Sequence, residues 1–296
     1  MTRVAVLGCG YIGCELARQL QPAHDVVGVR RSESGLRTVE ETGATAVKAD
    51  VTEPDTLVAV PDADWVVFAA SSGGRDAAAA REIYVDALGD AIDNYGARGS
   101  PPDRLVYTSS TGVYGDHDGE WVDEETPLEP TTEKTEVLVE AERIARQQAA
   151  AHGIDGTVAR FSGLYGPDRY RLNRYLDGPV TEGYLNMVHR VDAAGAVAFL
   201  LTEDCARDEV VLVTDDEPAD KWEFADWLAD QCGVETPPKQ TTEERLAESD
   251  LSDAGRRRVL TSKRCSNEYL RELGYEFTYP TYREGYQAAI DADTAE

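Results

Sequence analysis

Lysine is scarce in this chain, occurring only at Lys48, Lys134, Lys221, Lys239 and Lys263, and Lys and Arg together number 29 against 56 Asp and Glu. The resulting net charge of −27 argues against a nucleic-acid surface, which needs concentrated positive charge. The acids are spread along the chain and form no tail. Such a surface suits a halophile's cytoplasm, where strong salt shortens the Debye length to about 3 Å at 1 M. An acidic sink for basic partners is the alternative. No apolar run approaches the roughly 18 residues of a membrane span. Arg3-Val4-Ala5-Val6-Leu7-Gly8 leads straight into a strand-like segment, so no signal peptide is read and a cytoplasmic protein is expected. The five cysteines form no C-x-x-C pair, which leaves neither a disulfide frame nor a zinc site; they read as core filler or incidental thiols.

What is present is enough for a full core: 296 residues, 42% of them hydrophobic. The first half alternates. Val4–Leu7, Val26–Val29, Thr45–Ala49, Trp65–Ala70, Leu105–Ser109 and Gly156–Phe161 read as strands. Between them Tyr11–Leu20, Gly35–Thr42, a short helix ending at Leu57–Val60, Asp76–Tyr95 and Thr132–His152 read as helices. This order predicts an α/β fold, a doubly wound parallel sheet of Rossmann type. The second half is less regular. Gly163–Gly183, rich in Gly, Pro, Tyr and Arg, suits a binding loop. Val191–Leu201, Trp222–Cys232, Asn267–Leu273 and Glu284–Ile290 read as helices, Val210–Thr214 as a strand, and Thr241–Arg258 as a charged surface segment. The expected division is a Rossmann domain over 1–165 and a smaller substrate-binding region over 166–296, interleaved with the first.

Gly8-Cys9-Gly10-Tyr11-Ile12-Gly13 is a Gly-x-Gly-x-x-Gly loop. It follows a strand and opens a helix, the context that gives the motif meaning. Gly8 permits the tight turn, Gly10 the approach of a pyrophosphate, and Gly13 the packing of helix on strand. Free N–H groups at the helix start, from about Tyr11 and Ile12, then hold the phosphates. The next strand ends in Arg30-Arg31-Ser32 where an NAD site usually carries an acid for the ribose 2′-OH. Guanidinium forks and a hydroxyl suit a 2′-phosphate, so NADP(H) is expected ahead of NAD(H); a solvated arginine pair is the alternative. Asp50-Val51 follows the third strand, where Asp50 either meets the adenine amine or caps the next helix.

These residues, together with Phe68-Ala69-Ala70-Ser71, Val106-Tyr107-Thr108-Ser109-Ser110-Thr111-Gly112-Val113-Tyr114-Gly115, Arg160–Pro167 and Asn186–Asp192, resemble the short-chain dehydrogenase/reductase superfamily. The resemblance is to its extended and atypical NAD(P)-dependent epimerase/dehydratase branch and spans nearly the whole chain. It implies a dinucleotide in the N-terminal half, with Ala70 and Ser71 beside it, and a nucleotide sugar held by C-terminal segments. It implies hydride transfer with a Tyr acid/base, a Lys that lowers the Tyr pKa, and a Ser or Thr that orients the reacting oxygen. Ser110 falls on that last position. The chain departs from the pattern after Pro130, where Thr131–Leu138 holds no Tyr-x-x-x-Lys. Asp86 stands where the branch has a helical Asn, and Leu7 stands on the first glycine of the Gly-x-x-Gly-x-x-Gly variant.

Hydride transfer needs a proton donor and acceptor at the reacting oxygen. Tyr114 is the substitute expected for it, or else a packed aromatic. Asp86 either bonds a water or hydroxyl or is structural. Lys134 either lowers a neighbouring pKa or is a solvated helix-start lysine. Tyr165, Arg169 and His189 are expected at the substrate. His117 with Asp116 and Asp118 is weak evidence for a metal, and none is expected. The expectation is an NADP(H)-dependent oxidoreductase, epimerase or dehydratase acting on a sugar-like small molecule, with a homodimer plausible by family analogy. The alternative is a non-catalytic NADP(H)-binding or redox-sensing protein.

Overall fold

The computed structural model describes residues 1–73, 76–248 and 251–294. The alternation seen in the sequence builds β1 (Arg3–Leu7), α1 (Tyr11–Leu20), β2 (Asp25–Arg30), α2 (Glu33–Glu40), β3 (Thr45–Lys48) and β4 (Trp65–Phe68). A long helix α3 comes next as Ala77–Arg81, a π turn at Glu82–Asp86, and Ala87–Gly96. Then come β5 (Arg104–Ser110) and α4, which starts as Glu133–Arg143 and passes through a second π turn at Ile144–Gln148. β6 (Asp155–Phe161), α5 (Arg190–Thr202) and β7 (Val210–Val213) complete a seven-stranded sheet in the order β7-β6-β5-β4-β1-β2-β3. Every pairing in it is parallel. The fold is the expected α/β Rossmann architecture, and β7 brings the second half of the chain back to the sheet edge.

Period-two alternation sends successive residues to opposite faces. Val4 and Val6 join Leu16 and Leu20 of α1 and Val197 and Leu200 of α5. Ala5 and Leu7 join Leu88 and Ile92 of α3 and Ala141 and Ala145 of α4. Both faces are therefore covered, as a parallel sheet requires.

The C-terminal region has its own aromatic core. Phe224 of α6 (Lys221–Cys232) meets Tyr282 and Tyr286 of α7 (Tyr282–Asp293), edge to face at 4.9 and 5.2 Å. The buried Asp192 carboxylate in α5 ties this region to the sheet, accepting from the Tyr275 hydroxyl (3.1 Å) and from Thr278 and Tyr279 N–H groups (2.7 and 2.8 Å). Two stretches expected to be irregular carry structure. Gly163–Gly183 holds a short helix, Leu172–Leu176. Thr241–Arg258, of which 249–250 lie outside the described residues, contains Thr242–Ala247 and the start of Asp253–Leu260, capped by Thr241 and Ser252.

Candidate active site

The strand order reverses beside β1, where β4 lies on one side and β2 on the other, and ligands of open α/β sheets bind beyond the carboxyl ends of strands at such a point. A cavity of about 1290 Å³ opens there. A site for one drug-sized ligand needs only about 300–1,000 Å³, so this one has room for two ligands end to end.

One end is built by the glycine loop. Gly8 has φ of 77°, and a Cβ on it would lie 2.3 Å from the Ala70 Cα, so the turn and the close approach of the β4 loop both require glycine. A Cβ at Gly13 would sit 2.9 Å from the Val6 side chain, so α1 rests directly on β1. The first intrahelical bond of α1 runs from Cys14 N–H to Gly10 C=O at 2.8 Å. The amides of Tyr11, Ile12 and Gly13 precede it and have no helical acceptor, which suits an anion. Gly8, Gly10, Tyr11 and Ile12 line the cavity, with Arg30, Arg31, Ser32, Asp50, Val51, Ala70 and Ser71 beside them. Gly13 serves through packing. Cys9 and Cys14 are buried free thiols with sulfurs 3.9 Å apart.

The Arg30 guanidinium lies over the loop; a Cβ on Gly10 would come within 2.8 Å of its Nη1. Arg31 is exposed and 3.5 Å from Asp50 Oδ2. Ser32 caps α2, accepting from Gly35 N–H at 3.2 Å. Asp50 does local work as well, accepting from Thr52 N–H and hydroxyl at 3.1 and 2.8 Å. Amides, guanidiniums and cavity together fit a dinucleotide, with its phosphates at the head of α1.

The other end holds the candidate chemistry. Ser110 at the tip of β5 lines it, with Tyr84, Lys134, Phe161, Ser162, Leu164, Arg169 and Arg171. The Arg169 guanidinium lies 4.0 Å above the Tyr11 ring, whose hydroxyl donates to Pro167 C=O at 3.0 Å. The 163–171 loop is thereby fastened to the glycine loop. Below Ser110, the buried Glu142 carboxylate accepts from Ser109 Oγ (2.6 Å) and from Arg160 Nε and Nη2 (2.9 and 2.6 Å).

Four expected residues lie away from this wall. Tyr114 is fully buried; its hydroxyl accepts from Arg160 Nη1 at 2.7 Å and donates to Asp123 C=O at 2.6 Å. Burial pushes its phenol well up. It supports the loop and is not the acid/base. Asp86 is exposed at the end of the π turn, away from the cavity lining. Tyr165 is buried in a stack on Tyr286 with ring centroids 5.0 Å apart. His189 is 3% exposed and caps α5 by accepting from Val191 N–H at 3.3 Å. Burial and then the Arg190 charge push it down to about 4, so it is neutral at ordinary pH. Both residues are buried in the C-terminal region and neither lines the cavity.

Sequence reasoning missed Tyr84, Ser72, Ser162 and Arg171. Arg171 lay in a loop already marked as binding. Tyr84 lies two residues before Asp86, on the opposite side of the helix, and lines the cavity. Among the described residues no group of three His, Cys, Asp or Glu is placed to hold a metal, and no helix is long and apolar enough to cross a membrane.

The model of the NAD dependent epimerase/dehydratase family matches residues 4–211. Protein YeeZ of Escherichia coli K12 is 30% identical over 95% of this chain and 97% of its own length. A Methylobacillus flagellatus structure, named as a candidate NAD-dependent epimerase/dehydratase, superposes with a TM-score of 0.78 at 30% identity, covering 100% of this chain and 99% of its own. The UDP-glucuronic acid 4-epimerase of Bacillus cereus, solved with NAD, shares the fold at a TM-score of 0.77 and 16% identity, with 99% of each chain covered.

Proposed function

The chain belongs to the NAD dependent epimerase/dehydratase family, and from that premise we propose that it is an NADP(H)-dependent oxidoreductase of epimerase or dehydratase type acting on a sugar-like or nucleotide-sugar substrate. The observation that carries the reading is the continuity of the cavity. One wall runs from the anion-ready head of α1 to Ser110, and Arg169 and Arg171 stand at the same cavity. Bound there, a nicotinamide dinucleotide supplies a hydride acceptor or donor. The Tyr11, Ile12 and Gly13 amides hold its phosphates, and Arg30 with Arg31 reads a 2′-phosphate. Ser110 orients the reacting oxygen. Arg169 and Arg171 supply forks for a substrate phosphate or carboxylate. The reading gives residues 166–296 the task of closing the substrate end.

A second reading is a non-catalytic NADP(H)-binding protein. Its support is specific: α4 begins without Tyr-x-x-x-Lys, and Tyr114 is sealed away. The two readings separate in one experiment. Purified protein in molar KCl is mixed with oxidised NADP and, in turn, UDP-glucose, UDP-glucuronic acid and dTDP-glucose, and nicotinamide absorbance and sugar products are followed. Substrate-dependent reduction or sugar conversion supports the enzyme. Tight cofactor binding with no hydride exchange on any of a broad panel supports the binding protein.

A further inference from the structure

The family's acid/base phenol is missing from α4, yet the cavity has a phenol at the same end. Tyr84 and Tyr11 are the tyrosines that line it. Tyr11 is committed to Pro167 and Arg169 at the cofactor loop. Tyr84 rises from the π turn of α3, half-buried, with its ring packed beside the core that holds Val85 and Val137 on one side and the core that holds Val113 and Leu138 on the other. Its oxygen accepts from the Ser72 N–H at 3.3 Å, at the end of the β4 loop. π turns of this kind gather at functional sites because they re-aim one side chain without ending the helix. The facing α4 contributes Lys134 from its first turn, where Thr132 caps the helix. α3 and α4 pack side by side through Leu88, Ile92, Val137 and Ala141, and the Arg81–Glu140 ion pair at 2.6 Å links their surfaces.

We propose that Tyr84 is the catalytic acid/base of this site and that Lys134, with the Ser71 and Ser72 hydroxyls, positions and activates it, Ser110 orienting the same substrate oxygen. The phenol stands on α3 and the lysine at the head of the facing α4. The proposal rests on the dehydrogenase-type reading above. In the oxidative direction the substrate hydroxyl gives its proton to the Tyr84 phenolate. The neighbouring C–H bond breaks with its electron pair leaving as hydride to the oxidised nicotinamide, and the carbon–oxygen bond becomes a carbonyl. The reverse step returns hydride to carbon and the Tyr84 proton to oxygen, so atoms and charge balance over the cycle.

The electrostatics agree with the geometry. Burial works to raise the Tyr84 phenol, but hydrogen bonds from Ser72 and Ser71 and the Lys134 charge outweigh it, and the group lies below the ordinary tyrosine value. The charged and titratable groups that act on it are Lys134 from α4 and Tyr107 from β5, and Glu82 of its own turn lines the same cavity. Tyr107 is fully buried and pushed well up by burial, so it stays neutral.

The test uses the full chain with ring-labelled tyrosine, followed by carbon NMR through an alkaline titration in wild type, Tyr84→Phe and Lys134→Met. The resonance lost in Tyr84→Phe is expected to titrate below ordinary tyrosine, and Lys134→Met is expected to move it up. A Tyr84 resonance that titrates at or above the ordinary value, or ignores Lys134→Met, overturns the proposal whether or not a substrate is in hand. With any nucleotide sugar that wild type turns over, Tyr84→Phe should lower kcat by about 100-fold or more with little change in KM; unchanged kcat overturns it as well. NADPH fluorescence on the same samples separates the two levels. Loss of binding in wild type defeats the reading of the site, whereas retained binding with an ordinary Tyr84 defeats only the assignment of this residue.

Discussion

Arg30 and Arg31 differ in a way that matters for cofactor choice. Arg30 is pressed onto the glycine turn and Arg31 stands exposed beside Asp50. Replacing both with Ala should weaken NADPH more than NADH by about 1–3 kcal/mol, the scale of charge-assisted hydrogen bonds. Paired binding titrations check this, and equal weakening would show that neither guanidinium reads the 2′-phosphate. Asp215, just past β7, is a stability residue of the opposite kind. Its carboxylate is buried, neither oxygen has a well-aligned hydrogen-bond donor, and burial pushes its pKa well up against the lowering pull of the Glu217 N–H. A raised folded pKa means full stability only below the unfolded value of about 3.9, with stability lost as pH rises from there through the folded pKa. Asp215→Asn removes the charge at similar volume. It should be more stable than wild type at pH 7, with the gain shrinking toward pH 4, as urea melts at several pH values would measure. A variant less stable at pH 7 would mean that the charged carboxylate is satisfied. Such features were not legible in the sequence. Spacing gave the glycine loop and the arginine pair because their meaning is local. Tyr114, Tyr165 and His189 were misread because burial by distant segments, Asp123, Tyr286 and Tyr279 among them, decides what they do.

At the scale of elements, helix and strand identity followed from periodicity, and the parallel sheet followed from their alternation. The π turns did not, since the Ala77–Ala80 run before the first one gives the hydrophobic pattern too little contrast for a one-residue shift to show. Within the first of them Asp86 is exposed and Tyr84 lines the cavity. The β1–α1 turn is the element whose integrity the site most needs. Gly8→Ala forces a side chain into positive φ and against the Ala70 backbone. It should cost at least about 1–2 kcal/mol from the backbone conformation alone, plus the displacement of the β4 loop that carries Ser71. The expected result is a lower melting temperature together with at least tenfold weaker dinucleotide binding. Full binding in Gly8→Ala would show that the turn tolerates rearrangement.

The whole molecule carries −27 charges on 296 residues, and the ion pairs between exposed side chains, such as Lys48–Glu33 and Arg207–Asp155, offset little of the self-repulsion because such pairs are individually weak. Raising salt from about 0.1 M to 1 M shortens the Debye length from about 10 Å to 3 Å. Melting temperature should therefore climb through that range in KCl, and a flat or falling curve would show that repulsion is not what limits stability. The same conditions suit the measurement on which the account depends. Folded protein in molar KCl is titrated with NADPH and NADH while nicotinamide fluorescence is recorded. Saturable binding of both, NADPH the tighter, is the predicted result. Binding of neither by protein shown to be folded would contradict the account, leaving the glycine loop as architecture and the cavity without its first ligand.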